Sequence, residues 1–158
     1  MDARPSWDDY MLSVARATAM RSTCIRRQVG AIIATTDQRI VATGYNGGPR
    51  GYKHCFDGGC PRSRVGQDEG TGFGYEDPDA FCIAIHAEAN ALLFASPQDR
   101  EGSSLYTTLA PCLGCAKLIA NSGIGEVVTD SLYDQFEPVR TFLLASRVRV
   151  RVLGDVMR

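Results

Sequence analysis

The sequence predicts a three-layer α/β sandwich, on two observations and one bound. From residue 81 onward, short β-branched runs alternate with stretches of helical periodicity, the pattern of helices packed on a sheet. Before that, one amphipathic stretch leads into two β-branched runs separated by four turn residues. A chain of 158 residues forms one domain over 1–158 and can bury a core without staples.

The elements follow in order. Ser6-Trp7-Asp8-Asp9 reads as a capping box, with Ser6 as N-cap and Asp9 reaching back. Trp7, Met11, Val14, Ala15 and Ala19 recur at helical spacing and are expected to face the core. Val29–Ala34 and Arg39–Thr43, joined by Thr35-Thr36-Asp37-Gln38, read as a hairpin. Residues 44–80 hold ten of the 16 glycines and read as a long loop, which in a small domain is functional or held by something. Ile83–Ala95 reads as a helix burying Ile85, Ala89, Leu92 and Leu93. Ser104–Leu109 is a strand, and Pro111, suited to a helix start, opens a helix to Asn121 that Gly123 stops. Glu126–Thr129 is a strand, Pro138–Ser146 a helix and Arg147–Leu153 a last strand. Gly66–Asp79, polar, acidic and glycine-rich, fits a lid, an oligomer contact or a mobile loop equally well.

Composition narrows the function. Net charge is -1 with 22% charged residues, which argues against a duplex nucleic-acid binder but leaves room for a few arginines on one phosphate. No apolar run approaches the ~18 residues of a membrane span. Met1-Asp2-Ala3-Arg4-Pro5 lacks the apolar core of a secretory signal. The expected location is the cytoplasm, where six cysteines suggest metal before disulfide.

Two motifs carry the chemistry: His86-Ala87-Glu88 and Pro111-Cys112-Leu113-Gly114-Cys115. His86, Cys112 and Cys115 give a tetrahedral Zn²⁺ three ligands and leave one position for water; a structural site normally has four protein ligands. Zinc lowers the pKa of such a water from about 15.7 toward ~7. A helix N-terminus at Cys112 favours its thiolate. Glu88 lies close enough to move protons without joining the ligands. The order H-x-E…P-C-x-x-C is the signature of the zinc nucleobase deaminases, whose glutamate is the general acid/base. Glu88 is then expected to take a proton from the zinc-bound water and deliver it to the ring nitrogen, and in a second transfer to protonate the leaving amino group, which departs as ammonia.

Beyond these motifs the chain resembles the deoxycytidylate deaminase family of the cytidine deaminase superfamily. Trp7-Asp8-Asp9-Tyr10-Met11, Arg21-Ser22-Thr23-Cys24, Val29-Gly30-Ala31, Gly44-Tyr45-Asn46-Gly47, Ala87-Glu88-Ala89-Asn90-Ala91, Cys115-Ala116-Lys117 and Ser122-Gly123-Ile124 stand in family order. The resemblance implies a five-stranded mixed sheet between helices, assembly as a hexamer, and hydrolysis of dCMP to dUMP and ammonia. It implies Asn46 on the nucleoside, Ala87 and the Ala110 carbonyl on the pyrimidine edge, and Tyr133 closing the cleft. Asn46 is suited to its role by an amide that both donates and accepts. Gly44, Tyr45, Asn46 and Gly47 correspond to an effector loop for dCTP and dTTP, and Phe94 to a subunit contact. For the phosphate, Arg26 and Arg27 offer guanidinium groups suited to bidentate contact.

Some phage relatives carry a second, structural zinc on cysteines matching Cys24 and Cys55, completed by two histidines. This sequence has no histidines there and offers Cys60 and Cys82 instead. A closed Cys24/Cys55/Cys60/Cys82 site would staple the loop at about 44–82; His54 replacing one cysteine, free thiols and a disulfide are the competing readings. Among related activities, His86 favours the nucleotide branch over free-cytidine deaminases. The near-neutral chain lacks the basic surface an RNA stem-loop needs and the aromatic, basic channel of single-stranded DNA enzymes. CMP or a C5-substituted cytidylate remains as an alternative substrate, and a zinc-stapled competence-type accessory protein without turnover as an alternative class.

Overall fold

The computed structural model describes residues 4–64 and 81–154; the sequence reading of Gly66–Asp79 lies outside them. Ser6 caps α1 (Trp7–Ala19), its hydroxyl oxygen accepting the Asp9 N–H at 3.1 Å. The other half of the expected capping box differs: the Asp9 carboxylate accepts from the Ser6 hydroxyl at 2.6 Å. The hairpin forms as β1 (Gly30–Ala34) and β2 (Ile40–Tyr45), and Gln38 takes the positive φ of 66° that its turn needs. A short α2 (Pro61–Arg64) precedes α3 (Ala87–Phe94) and a single-turn α4 (Pro97–Arg100). Then β3 (Ser104–Thr107), α5 (Leu113–Ala120), β4 (Glu126–Thr129), α6 (Glu137–Ala145) and β5 (Arg149–Val152) complete the alternation. The sequence reading contained neither α2 nor α4.

The sheet is five-stranded and mixed, in the order β2-β1-β3-β4-β5. β1 runs antiparallel to both β2 and β3, whereas β3, β4 and β5 are parallel. Alternation along the strands divides the core between the two faces. Ile32, Ala34, Tyr106 and Val128 pack with Met11, Leu12 and Ala15 of α1. On the opposite face, Ala31, Ile33, Leu105 and Val127 meet Ala87, Ala91, Ala116, Ile119 and Leu143 from α3, α5 and α6. This is the three-layer sandwich expected.

Two glycines let helices approach. A Cβ on Gly30 would lie 2.0 Å from the Ala15 carbonyl oxygen, and one on Gly44 would lie 2.1 Å from that of Ala87. Gly44 and Tyr45 are therefore the end of β2, not loop.

Several boundaries differ from expectation. α3 begins at Ala87, not Ile83, because Ile85 pairs its backbone with Gly47, at 2.9 and 3.2 Å. Ile85 thus joins a bridge, and the helix buries Ala87, Glu88, Ala91 and Leu92 while Leu93 and Phe94 face outward. Pro111 lies outside α5: Cys112 is the N-cap, its sulfur accepting the Cys115 N–H, so the helix starts one residue later. Asn121 is the C-cap of that helix, and Gly123, with φ 91°, follows two residues on. Trp7 is half exposed because the first turn of α1 extends past the apolar cluster beneath it; Leu12 fills the core instead.

Arg151 of β5 ties α1 to the sheet, donating to Asp8 at 2.6 Å and to Glu126 at 3.1 Å. Tyr106 donates to the same Asp8 carboxylate at 2.9 Å. The Arg151 hydrogen bond holds the Asp8 carboxyl below its ordinary range. A carboxyl depressed in the folded state stabilises it above the unfolded pKa of about 3.9, and that contribution is lost as pH falls through the folded value. Acid unfolding followed by circular dichroism should therefore depend less steeply on pH below about 4 in Asp8→Asn than in the wild type. At neutral pH, Arg151→Ala should cost about 1–2 kcal/mol, the half-exposed guanidinium being partly screened.

Candidate active site

The N-termini of α3 and α5 lie side by side on one face of the sheet, and each N-cap residue carries a metal-ligand atom. His86 caps α3 in an extended conformation without a side-chain capping bond. Cys112 has the same role in α5, and Cys115 sits one turn in, buried. His86 Nδ1 is 3.4 Å from Cys112 Sγ and 3.5 Å from Cys115 Sγ. A tetrahedral zinc with bonds of ~2.0–2.1 Å to nitrogen and ~2.3 Å to sulfur separates such atoms by about 3.6 Å. The three residues fit zinc. Among the described residues they are the one set of three or more ligand atoms within 4.8 Å of one another.

Glu88 stands outside that set. It is 3% exposed, and its Oε2 lies 3.7 Å from Cys115 Sγ. Burial pushes its carboxyl up from the usual range, so it can hold a proton as well as release one. The Cys115 thiol hydrogen-bonds to Cys112 and draws the Cys112 thiol down to about 3. The same contact, with burial, drives Cys115 upward. His86 is raised chiefly by its hydrogen bond with Cys112. The cluster thus already favours a thiolate at Cys112, the form in which sulfur binds metal.

A cavity of about 770 Å³ opens over these groups. His86, Ala87, Glu88, Ala110 and Cys112 line it, together with Asn46 and Tyr133. The Tyr133 hydroxyl donates to the Pro111 carbonyl at 3.0 Å, which pins the ring beside the cysteine motif. The Ala110 N–H is taken by the Ser131 carbonyl at 2.9 Å. Arg26 and Arg27, the phosphate candidates, border the cavity, as does Arg62. Arg62 was missed because no motif surrounds it; the one sequence signal is its place two residues after Cys60. An Arg26 N–H donates to the Arg62 carbonyl at 3.2 Å, linking α2 to the segment after α1.

Cys24, Cys55, Cys60 and Cys82 line the same cavity. Burial is the main cause pushing the Cys55 thiol up to about 12, and the neighbouring Cys60, Cys24 and Cys82 add to it. His54 does not border the cavity. Of the expected effector residues only Asn46 lines it, Gly44 being sealed under α3.

Against known proteins, residues 5–131 match the profile of the cytidine and deoxycytidylate deaminase zinc-binding region. The chain belongs to this deaminase family. Deoxycytidylate deaminase of Mycobacterium phage D29 is 46% identical over 126 residues, covering 80% of this chain and 95% of that protein. The Saccharomyces cerevisiae deoxycytidylate deaminase is 41% identical over 150 residues, 94% of this chain, which spans 45% of the yeast protein's length. Among solved structures, dCMP deaminase of cyanophage S-TIM5 in complex with dCMP and dUMP superposes with a TM-score of 0.69 at 25% identity, covering 96% of this chain and all of that one. No helix among the described residues is long and apolar enough to cross a membrane.

Cys115→Ser should lower bound zinc by about one equivalent per chain relative to the wild type, because an open three-ligand site has no spare protein ligand. Metal analysis of extensively dialysed protein reads the difference.

Proposed function

We propose that this deaminase converts dCMP to dUMP and ammonia by zinc-dependent hydrolysis. The observation that carries the reading is the buried Glu88 beside a His86/Cys112/Cys115 cluster, in a cavity also bordered by Arg26, Arg27 and Arg62. Zinc, when bound by those three residues, supplies an activated water as nucleophile. Glu88 takes one proton from the nucleophile and delivers it to the ring nitrogen of cytosine, then moves the remaining proton of the added hydroxyl to the departing amine as the C4 carbonyl forms and the C–N bond breaks. Backbone groups of Ala87 and Ala110 meet the pyrimidine edge, and Tyr133 bounds the cleft. The arginines take the 5′-phosphate, their planar donors matching its oxygens.

A second, structural zinc on Cys24, Cys55, Cys60 and Cys82 belongs to this reading. Its support is that all four thiols border one cavity, and that the Cys55 and Cys82 thiols are pushed up by burial first and by neighbouring cysteines second. A cytoplasmic hexamer regulated by dCTP and dTTP completes the reading. The outward Leu93 and Phe94 of α3 suit a subunit contact, and Asn90 of the same helix donates to the Tyr45 carbonyl at 2.7 Å, within the proposed effector loop Gly44–Gly47.

Ammonia release from dCMP, CMP, deoxycytidine and cytidine tests the reaction and its substrate. Zinc-loaded protein should favour dCMP, and Glu88→Gln should keep metal and fold while losing at least ~10²–10⁴-fold in turnover. Preference for CMP would move the substrate assignment. Near-normal turnover by Glu88→Gln would remove the assigned role. Metal analysis should give about two zinc per chain, as a closed four-thiolate site is filled independently of the open one; one zinc per chain would remove the second site.

A further inference from the structure

The Arg21-Ser22-Thr23-Cys24 motif supplies no group to the reaction above, Cys24 belonging to the proposed structural zinc site, yet Ser22 is 2% exposed and hydrogen-bonds to Asn46. The Ser22 hydroxyl lies 2.7 Å from Asn46 Oδ1 and 2.8 Å from the Asn46 carbonyl oxygen. Its oxygen accepts the Cys24 N–H at 3.2 Å. The Asn46 carbonyl also accepts the Thr23 N–H at 3.3 Å, so it keeps a donor when the single Ser22 proton goes to Oδ1. Val29 donates its backbone N–H to the same Oδ1 at 2.8 Å, and Asn46 Nδ2 donates to the Arg27 carbonyl at 2.8 Å.

These partners leave the amide one orientation. A backbone N–H can only donate and a carbonyl can only accept, so oxygen faces Val29 and nitrogen faces Arg27. Both lone pairs of Oδ1 are then occupied, by Val29 and Ser22. Of the two Nδ2 hydrogens, one goes to Arg27. What the Asn46 side chain has left for the cavity is a single N–H and no acceptor. The expectation that this amide both donates and accepts at the ligand is corrected by this accounting.

The geometry points to Ser22 as a positioning residue that acts through Asn46: it holds Oδ1 inward and makes Asn46 a pure hydrogen-bond donor toward the nucleotide. The nucleotide atom that meets Asn46 is therefore a hydrogen-bond acceptor. Without the Ser22 hydroxyl, Oδ1 keeps one partner of two, and the amide can turn or tilt away from its donor geometry. This rests on the nucleotide reading of the cavity. It adds a selection rule, because a ligand offering only a donor at that point leaves two N–H groups facing each other.

A double-variant cycle with Ser22→Ala and Asn46→Ala tests the assignment, read by dCMP kinetics and by calorimetric binding of dUMP. Ser22→Ala should raise KM and weaken dUMP binding about tenfold, the loss of one well-placed hydrogen bond, with kcat changed far less. In the Asn46→Ala background, Ser22→Ala should change neither quantity, since the residue it positions is gone. A purely structural role would give penalties that add. Should Ser22→Ala not fold, Ser22→Cys, similar in size and a weaker donor, enters the same cycle. Additive penalties, or wild-type KM and dUMP affinity in Asn46→Ala, overturn the inference alone. Wild-type protein that neither deaminates dCMP nor binds dUMP overturns the functional reading and this inference together.

Discussion

The contact on which the site depends is the docking of α3 against β2, where Gly44 lies under Ala87 with no space for a side chain. That contact sets the depth of the first turn of α3. His86 and Glu88 flank Ala87, so their positions over the sheet are set with it. α5 then packs beside α3 through small residues, Ala91 and Ala116 among them, both fully buried. Small side chains let the two helix N-termini come level, and level N-termini bring one imidazole and two sulfurs to a metal's reach. The ligand triangle is a product of helix packing before it is a product of coordination.

The same arrangement separates the roles of the polar groups. His86 and Cys112, at the two N-caps, face the cavity, while Cys115 is recessed behind them. Glu88, one position into α3, is turned into a buried environment that favours its protonated form. A carboxyl so placed can accept a proton at one step and return it at the next, which a solvated carboxylate does poorly at neutral pH. Arg26 donates to the Arg62 carbonyl, so cationic residues from two separate segments border the same cavity as His86 and Glu88.

Much of this was legible in the sequence because it resides in residue type. Only cysteine, histidine and carboxylate side chains can form such a centre, and the two motifs declare it. The strands were also legible, since the β-branched runs at 29–34, 104–109 and 126–129 are local signals. What was not legible depends on partners distant in the chain. The start of α3 is set by the Ile85–Gly47 bridge, which periodicity cannot reveal, and the start of α5 by a sulfur acting as cap. Trp7 has core-like spacing but is half exposed, its ring meeting Tyr10 and Arg4 instead of the core. Arg62 reaches the cavity through a turn that no motif marks. The donor-only character of Asn46 follows from Ser22, Val29 and Arg27, whose approach to one amide is a tertiary fact.

The central claim is that three protein ligands from two helix N-termini hold a zinc ion while Glu88 stays off the metal. Anomalous diffraction at the zinc edge from crystals grown with zinc and dUMP tests it most directly. The account predicts a peak ~2.0–2.1 Å from His86 Nδ1 and ~2.3 Å from Cys112 Sγ and Cys115 Sγ, with the Glu88 carboxylate beside the pyrimidine and outside the coordination shell. A peak ligated by Glu88 as a fourth protein ligand, or no zinc between the two helix N-termini, would contradict it.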